Sequence, residues 1–441
     1  MNIITRLKFV SFLQFFIWGS WLVTFASYLF NTLHFKGGEI GLIFSTLGIS
    51  ALCSPIIIGF IADKIDNRKL VYTTSHIISA VFLIVMAHSD SITLLFIVTL
   101  VHLMFYMPTI SVCNSIVFEM LSAEKLDSDV YFPKIRVYGT LGFIVAMWTI
   151  SLLKLEMSFY QLYIGAIASI VLSIFSIFFI STQSCKIERK EEKPSFSCQN
   201  IIFLFKKGRV AVFLFFAMLL GSVLQITNTF GVPFLQDMAL MPEARGSVFS
   251  EYPTIFLSIS QFSEIIFILL LPLLLKKFKI EAILFMSMIA WILRLGLFAY
   301  GDFTVIGTIA LFLSMVVYGC AFDFFNIAGA LFLEKEIAPE FRSTAQGVFT
   351  TLVNGFGTFL GAVLCGWIIE LNTVNGVVDW KTFWMIFTGY TASFTLLYVI
   401  YLFYPKNSQP KTAIQWLVFP LFMSHIYRIR GLYYFKCVIL K

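Results

Sequence analysis

The sequence predicts an all-α membrane protein with twelve transmembrane helices in two halves of six, and three observations lead to this fold class. Of the 441 residues, 59% are hydrophobic and only 12% are charged, whereas soluble domains carry about 25% charged and 45–50% apolar residues. Long apolar runs recur along the chain, and Lys and Arg collect in alternate connections between these runs. So much apolar surface cannot stay in water, which excludes disorder over most of the chain.

Twelve apolar runs approach or exceed the ~20 residues that cross a bilayer as a helix. The first six cover about 8–30, 39–61, 70–89, 93–118, 135–153 and 159–181. The second six cover about 210–232, 253–275, 281–300, 304–333, 343–369 and 380–404. We therefore divide the chain into an N-terminal half (1–181), a polar linker (182–208), a C-terminal half (209–404) and a basic aromatic tail (405–441).

The distribution of basic residues predicts the orientation, because cytoplasmic connections carry an excess of Lys and Arg. One set of connections holds the linker and the basic groups at 6–8, 64–69, 125–134, 276–279 and 335–342. The opposite set carries only Lys36, Lys154, Arg245 and Lys381. We therefore expect both termini in the cytoplasm, which requires an even number of spans.

The net charge of +7 comes mostly from the C-terminal tail. The tail contains no acid and the basic residues Lys406, Lys411, Arg428, Arg430, Lys436 and Lys441. The rest of the chain is nearly balanced, which argues against a nucleic-acid-binding surface. The seven Cys form no C-x-x-C motif, and no two of the five His are three or four residues apart. We therefore expect neither a metal site nor a cofactor.

The connection between the second and third spans contains a loop motif. Gly59–Lys69 resembles the pattern G-x-x-x-D-[RK]-x-G-[RK]-[RK] of major facilitator transporters, with Asp66 in the region of the second glycine. On this interpretation Asp63 and Arg68 belong to a conformational gate, an ion-pair cluster that changes between states. The alternative is an ordinary basic cytoplasmic loop.

Ionisable side chains inside the apolar runs are candidates for function, since each costs at least about 2.5–3.5 kcal/mol near the bilayer centre. They are Arg136, Glu264, Arg294 and Asp323. Side chains three, four or seven residues apart share a helix face, and polar or aromatic partners extend these faces. The resulting faces are Arg136, Thr140 and Phe143; Gln225 and Asn228; Gln261 and Glu264; and Tyr318, Phe322, Asp323 and Asn326.

These four faces can together line one wet cavity, because polar faces avoid lipid. Amides both donate and accept hydrogen bonds, and Phe143, Tyr318 and Phe322 offer flat faces to an aromatic ring. One guanidinium and two carboxylates nearly cancel, which favours a neutral polyhydroxylated ligand with a heteroaromatic part over a phosphate. The alternative is that the polar groups join helices to one another, and we favour this alternative for Arg294.

Other polar residues allow more than one interpretation. Gln14 and Trp18 share a face of the first span and either contact ligand or pack against other helices. His102 is either a partnered core histidine, which we favour, or a proton relay. Glu119 and Glu334 lie near cytoplasmic helix ends, where we expect gate or loop ion pairs.

Six strings carry a resemblance to a known family. They are Phe12–Trp21 (FLQFFIWGSW), Arg136–Phe143 (RVYGTLGF), Leu224–Asn228 (LQITN), Ser258–Glu264 (SISQFSE), Ala290–Arg294 (AWILR) and Tyr318–Asn326 (YGCAFDFFN). Over about residues 1–404 the chain resembles the bacterial nucleoside permeases of the nucleoside:H+ symporter family, in the major facilitator superfamily. The tail is a departure, since family members usually stop soon after the last span.

The resemblance implies proton-coupled uptake of purine and pyrimidine nucleosides by alternating access, and no enzyme activity. It implies a multi-pass protein in the lipid bilayer of the bacterial inner membrane, and we expect a monomer. Asp323 would serve proton coupling. The residues that would contact the nucleoside are Arg136, Thr140, Phe143, Gln225, Asn228, Gln261, Glu264, Tyr318 and Phe322.

Rival functions remain open at this point. A proton-coupled sugar or oligosaccharide permease of the same fold is closest, since amide-lined cavities also bind sugars and a fold does not fix its substrate. A membrane sensor would bind the ligand without accumulating it. An intramembrane enzyme is disfavoured, because no Ser–His–Asp arrangement, H-E-x-x-H motif or intramembrane Asp pair is apparent.

The tail is expected to lie on the cytoplasmic membrane surface and to be dispensable for transport. Ala413–Met423 is apolar but too short to span, and Pro420 interrupts it. The flanking basic and aromatic residues suit an interface with anionic lipid. The alternative is an unstructured extension without a role.

Overall fold

The computed structural model describes residues 2–64, 67–180, 204–244 and 247–403, with the backbone alone for 54–64. The helices that precede the linker are α1 (Ile3–Gly19), α2 (Phe25–Ser27), α3 (Gly37–Lys64), α4 (Arg68–Ala87), α5 (Ile92–Ala123), α6 (Ser128–Leu152) and α7 (Tyr160–Phe179). Helix α1 begins before the first apolar run because the Asn2 side chain accepts a hydrogen bond from the backbone N–H of Thr5, which caps the helix.

Helices also make up most of the described chain after the linker. They are α8 (Gly208–Ala239), α9 (Val248–Glu251), α10 (Pro253–Leu257), α11 (Ile259–Leu275), α12 (Ile280–Ala299), α13 (Val305–Glu336), α14 (Arg342–Thr351), α15 (Thr358–Leu371) and α16 (Trp380–Phe403). The π-helical segment Leu352–Gly357 joins α14 to α15, and a second π-helical segment, Tyr28–Thr32, follows α2. Short 3-10 turns cover Pro242–Ala244 and Pro339–Phe341.

Each of the twelve predicted runs coincides with one of these helices or with a pair of them. Within the described residues, ten helices are long and apolar enough to cross a membrane. The two runs outside that group correspond to α1, with 17 residues, and to α3, whose described side chains form the shorter apolar helix Gly37–Cys53. The all-α membrane fold class is confirmed, and the number twelve stays a prediction.

The only strands in the described part form a short hairpin between α15 and α16. Strands β1 (Thr373–Val374) and β2 (Val377–Val378) pair antiparallel, with Thr373 opposite Val378. Asn375 and Gly376 connect them with φ values of 53° and 79°. An Asn-Gly pair with positive φ at both positions is the common two-residue turn of β-hairpins.

The connections between helices define two ends of the bundle. The connections that follow α3, α5, α11 and α13 lie at what we call the basic end. Those that follow the π-helical segment Tyr28–Thr32, α4, α6, α8, α12 and α15 lie at the opposite end. Helices α5, α8 and α13 each have 32 residues and so extend about 48 Å. They are longer than the ~30 Å hydrocarbon core, so their ends project beyond it.

Glycines allow two helix pairs to touch through their backbones. A Cβ at Gly142 of α6 would lie 2.1 Å from the Phe12 carbonyl oxygen of α1, and one at Gly19 of α1 would lie 2.7 Å from the Phe143 carbonyl oxygen. Between the halves, a Cβ at Gly41 of α3 would lie 2.8 Å from Gly366 Cα of α15. The first contact fixes α6 against α1, and the second joins the two halves toward the opposite end.

Candidate substrate site

Helix α6 contributes the predicted face of Arg136, Thr140 and Phe143. Thr140 and Phe143 are partly exposed, and Arg136 is exposed. The backbone of α6 contacts α1 directly next to Phe143, at Gly19. The position of the Phe143 ring is therefore set by a helix contact that allows no intervening side chain.

The Arg136 guanidinium lies on an aromatic ring from α1. Its Cζ is 4.0 Å from the centroid of the Phe15 ring, a cation–π distance. A Cβ at Gly139 would lie 2.7 Å from Arg136 Nη1 and 2.7 Å from Phe15 Cδ2, so the glycine leaves room for this contact. Sequence reasoning missed Phe15, because one Phe in an apolar helix carries no signal that separates it from lipid-facing neighbours.

Helix α8 contributes Gln225 and Asn228. The Gln225 side chain is 4% exposed, and its Nε2 donates a hydrogen bond to Thr229 Oγ1 at 2.8 Å. Asn228 is partly exposed. Asn228 is therefore the more accessible of the two amides, and Gln225 has one of its amide hydrogens engaged within its own helix.

Helix α11 contributes Gln261 and Glu264, both partly exposed. Gln261 interacts with the hydroxyl of Tyr318 on α13. Glu264 lies within electrostatic range of Arg136 on α6, and also of Tyr318 and Asp323 on α13. The Glu264 carboxyl group on α11 thus lies near charged and polar groups of α6 and α13, which belong to different halves of the chain.

Helix α13 carries a pair of stacked rings. Tyr318 and Phe322 are parallel within 7°, with ring centroids 5.6 Å apart. Tyr318 is 5% exposed, whereas Phe322 is partly exposed. The sequence predicted that both rings face a ligand, and the structure makes Phe322 the accessible surface of the stack, with Tyr318 behind it.

Asp323 follows this stack and is 3% exposed. Among the residues that the structure describes, its Oδ2 has no hydrogen-bond partner. A buried polar atom without a partner costs free energy, and such atoms in a native fold are often functional. An acidic oxygen in this environment is a place where a proton can be bound and released as its surroundings change.

The predicted gate residues lie at the basic end. The side chain of Asp63 is outside the described residues. Arg68 Nη1 of α4 lies 3.1 Å from Glu119 Oε2 of α5, and Arg342 Nη1 lies 3.6 Å from Glu334 Oε1. The ion pairs expected for Glu119 and Glu334 are thus confirmed, and their role as a gate stays a prediction.

Gln14 packs inside the N-terminal half and does not face the cavity. It is fully buried, and its Nε2 donates to Thr109 Oγ1 at 2.9 Å. Its Oε1 accepts from the Tyr72 hydroxyl at 2.7 Å and lies 3.1 Å from His76 Nε2. The packing interpretation of Gln14 is therefore correct.

His102 is a partnered core histidine, as the sequence favoured. It is fully buried, and its Nδ1 lies 3.1 Å from Ser79 Oγ and 3.2 Å from the Ser79 carbonyl oxygen. Because a carbonyl oxygen only accepts, Nδ1 carries the hydrogen. His102 thereby ties α5 to α4.

Polar contacts across the two halves meet at the opposite end. Lys154 Nζ donates to the Glu251 carbonyl oxygen at 2.5 Å and lies 3.8 Å from the Tyr252 ring centroid. Gln236 Nε2 donates to Glu156 Oε2 at 3.2 Å. These bonds join residues of the 153–159 connection to α8 and to the connection that follows it.

Two further bonds complete this closed end. Trp148 Nε1 donates to Ser258 Oγ at 2.8 Å, at the break between α10 and α11. The backbone N–H of Gly38 donates to Glu370 Oε2 at 3.1 Å. Together with the contact between α3 and α15, these bonds close the opposite end over the candidate site.

The chain is similar in sequence to a known family of transporters and to two of its members. The family model described as nucleoside H+ symporter matches residues 1–408. The xanthosine permease of Escherichia coli (strain K12) is 46% identical over 415 residues, which cover 93% of this chain and 98% of that protein. The nucleoside permease NupG of the same organism is 44% identical over 391 residues, covering 89% and 94% of the two chains.

Solved structures agree with these relatives. The crystal structure of the nucleoside transporter NupG matches with a TM-score of 0.87 at 43% sequence identity, covering 92% of this chain and all of that one. A POT family transporter in complex with 5-aminolevulinic acid matches with a TM-score of 0.69 at 16% identity, over 92% and 96% of the two chains. The second match shows a shared fold alone.

Proposed function

Because the chain belongs to the nucleoside:H+ symporter family, whose members are proton-coupled transporters and not enzymes, we propose that its central cavity binds both purine and pyrimidine nucleosides. Proton-coupled nucleoside uptake through a major facilitator fold is the activity of this family. We also propose that the protein acts as a monomer in the lipid bilayer of the bacterial inner membrane.

The observation that supports this site most strongly is the position of Glu264. It lies within electrostatic range of Arg136, Tyr318 and Asp323, which come from different helices and from both halves. A ligand between these groups would contact both halves at once, as alternating access requires. Carboxylate and amide groups would hydrogen-bond ribose hydroxyls, and Phe322 or Phe143 would stack on the base.

We assign substrate contact to six of the predicted residues because their side chains are accessible. Thr140, Phe143, Asn228, Gln261, Glu264 and Phe322 are partly exposed. Arg136, supported by Phe15, offers N–H donors to base or ribose oxygens. Gln225 and Tyr318 are nearly buried and form the wall behind these groups.

We assign proton coupling to Asp323, and the gate role to Asp63 and Arg68. The unpartnered oxygen of Asp323 supports the first assignment, and the Arg68–Glu119 ion pair supports the second. We further propose that the basic end faces the cytoplasm, with both termini and a linker between two six-helix halves on that side. The contacts that close the opposite end then describe a state closed toward the outside.

The experiment that tests the proposal is concentrative uptake with competition. Cells that lack their own nucleoside transporters would express the protein and receive labelled uridine, with unlabelled adenosine, inosine, xanthosine, cytidine and disaccharides as competitors. We expect purine and pyrimidine nucleosides to compete and a protonophore to abolish accumulation. Competition by disaccharides alone would support the sugar permease instead, and binding without uphill accumulation would support the sensor.

A further inference from the structure

Arg294 is a buried cation of the C-terminal half that the proposed site does not use. It lies on α12 and is 2% exposed. Its Nη1 donates to the Ser314 carbonyl oxygen of α13 at 3.0 Å and lies 3.3 Å from Ser260 Oγ of α11. Among the residues that the structure describes, no carboxylate forms an ion pair with it. Arg294 therefore joins three helices without an acid to balance its charge.

The absence of an acidic partner within the described residues requires an explanation. Burying a guanidinium without a carboxylate costs free energy, and a neutral amide could make comparable hydrogen bonds at a lower cost. A role as a link between helices therefore accounts for the hydrogen bonds of Arg294 but not for its charge. The positive charge has a structural role if it makes an interaction that a neutral side chain could not make.

Tyr318 supplies that interaction. The Cζ of Arg294 lies 4.4 Å from the centroid of the Tyr318 ring, and 5.1 Å from that of Phe298. Cation–π attraction is strongest where both groups are removed from water, and Arg294 and Tyr318 are 2% and 5% exposed. The strongest contact of the charge is therefore the inner ring of the stack whose outer ring, Phe322, borders the cavity.

The second contact of Arg294 leads to the same site. Ser260 is the residue before Gln261 and lies one helical turn before Glu264 on α11. On the same helix, Ser263 Oγ accepts a hydrogen bond at 3.1 Å from the backbone N–H of Gly319 on α13, next to Tyr318. Arg294 thus contacts both elements that present the C-terminal part of the site.

We propose that Arg294 is a positioning residue for nucleoside binding, which holds the Tyr318–Phe322 stack in register through its charge without touching the substrate. The proposal rests on the proposed function, since it needs a base that stacks on Phe322. Purine bases cover more of a ring than pyrimidine bases do. Loss of Arg294 should therefore weaken purine nucleosides more than pyrimidine nucleosides.

The test compares two substitutions at one position. Arg294→Met keeps the length and apolar volume but removes the charge, and Arg294→Lys keeps the charge. Dissociation constants for inosine and uridine would be measured by calorimetry on purified protein. We expect Arg294→Met to weaken inosine by about tenfold, within the range that buried cation–π contacts allow, and uridine by less, while Arg294→Lys stays within about threefold of wild type.

Arg209→Met is the matched control. Arg209 is a surface arginine at the basic end, whose guanidinium pairs with Glu281 and Glu336, and we expect wild-type affinity. A double-mutant cycle then separates positioning from general packing. In a Phe322→Leu background, Arg294→Met should change inosine affinity by less than about twofold, because the stack that it positions is gone.

Each outcome bears on the proposal. The proposal would be overturned if the losses of inosine affinity from Arg294→Met and Phe322→Leu were additive in the double variant. It would also be overturned if Arg294→Lys bound inosine as weakly as Arg294→Met. If Arg294→Met does not yield monodisperse protein, the Lys variant decides: affinity near that of wild type supports the proposal and a tenfold loss overturns it. Wild-type protein that binds no nucleoside contradicts the proposed function, whereas tight binding that Arg294→Met leaves unchanged contradicts this inference alone.

Discussion

The two carboxyl groups of the candidate site, Glu264 and Asp323, have different surroundings. Asp323 is 3% exposed and has an oxygen without a partner, whereas Glu264 is partly exposed and interacts with Arg136. A partly exposed carboxylate within electrostatic range of a guanidinium suits hydrogen bonding to a substrate. A secluded carboxyl group suits the binding of a proton, so the two residues are expected to respond differently to substitution.

Asp323→Asn should abolish uphill uptake while it leaves nucleoside binding measurable. The amide keeps the size of the side chain but cannot bind and release a proton near neutral pH, so substrate movement is no longer coupled to proton movement. Labelled uridine accumulation under an imposed proton gradient measures the first property, and equilibrium binding measures the second. Asp302→Asn, in the connection before α13, is the control, and we expect normal accumulation. Uphill uptake by Asp323→Asn would contradict the assignment.

Phe322→Ala should weaken nucleoside binding by about 1–3 kcal/mol, the range of base–aromatic stacking. Phe322 is the accessible ring of the stack, so its removal takes away the surface itself. Phe143→Ala should have a similar effect if the base lies between the halves. Calorimetry with uridine measures both, and Phe262→Ala, at an exposed position on α11, is the control. Equal affinity in all variants would place the base elsewhere.

At the residue scale, charge and spacing predicted candidates but not their environment. Helical spacing placed Arg136, Thr140 and Phe143 on one face, and in the structure Arg136 is exposed and the other two are partly exposed. Spacing could not indicate that Tyr318 is buried behind Phe322, since exposure depends on which neighbouring helix covers a face. The contact of Arg136 with Phe15 was equally inaccessible, because it forms between helices about 120 residues apart in sequence.

The contact between α3 and α15 makes an element-scale prediction. Gly41→Leu should force these helices apart, since even a Cβ at Gly41 would lie 2.5 Å from the Ala362 carbonyl oxygen. The opposite end should then open more often. A single Cys in place of Ser258, in a background without other Cys, would report this as faster reaction with a membrane-impermeant thiol reagent from outside.

Gly389→Leu is the matched control for this experiment. Among the described residues, a Cβ at Gly389 would meet no heavy atom within 4 Å beyond the backbone of its own helix, so the same substitution should leave the reaction rate unchanged. An unchanged rate for Gly41→Leu, in protein that is present in the membrane at the normal level, would contradict the idea that this glycine contact holds the end closed.

At the element scale, the existence of helices was predictable and their irregularities were not. Apolar length alone predicted a helix for every run. The break between α10 and α11, and the π-helical segment Leu352–Gly357, interrupt predicted spans. The segment accommodates a contact with α8, where a Cβ at Gly221 would lie 2.3 Å from the Val353 carbonyl oxygen. Such irregularities arise from neighbours that a single segment does not contain.

Cross-linking of the two halves makes a prediction for the whole molecule. Lys154→Cys with Glu251→Cys would place thiols at a contact between the halves. A short bifunctional thiol reagent should then stop uptake, because the opposite end can no longer open. A cleavable reagent should restore uptake after reduction. Each single Cys variant is the control, and full activity of the cross-linked double variant would mean that this contact does not separate during transport.

Truncation after Pro405 tests the tail. Residues 404–441 lie outside the described part of the chain, and the family match ends at residue 408. We expect the truncated protein to reach the membrane and to transport labelled uridine as the full chain does, since the proposed site lies between α6 and α13. Loss of uptake at an unchanged membrane level would show that the tail is required.

At the scale of the whole molecule, hydropathy and charge predicted the class, and strings such as Tyr318–Asn326 predicted the family that the comparisons confirm. The conformational state was beyond sequence reasoning, because an alternating-access carrier encodes at least two arrangements with one sequence. Lys154 and Glu156 show the difficulty. In the sequence both are ordinary loop residues. Their contacts across the two halves are present in the structure because its opposite end is closed.

The bonds that close the opposite end have a consequence for the speed of the cycle. They are single hydrogen bonds, two of them with a charged partner, and one exposed ion pair. Each hydrogen bond contributes about 0.5–3 kcal/mol, and the ion pair about 1 kcal/mol or less. Binding of a micromolar ligand releases about 8 kcal/mol, which is comparable with these contributions and can shift the balance between the two arrangements. Shallow, nearly equal energy minima are what a carrier needs, because a deep minimum on either side would become a resting state and would slow every turnover.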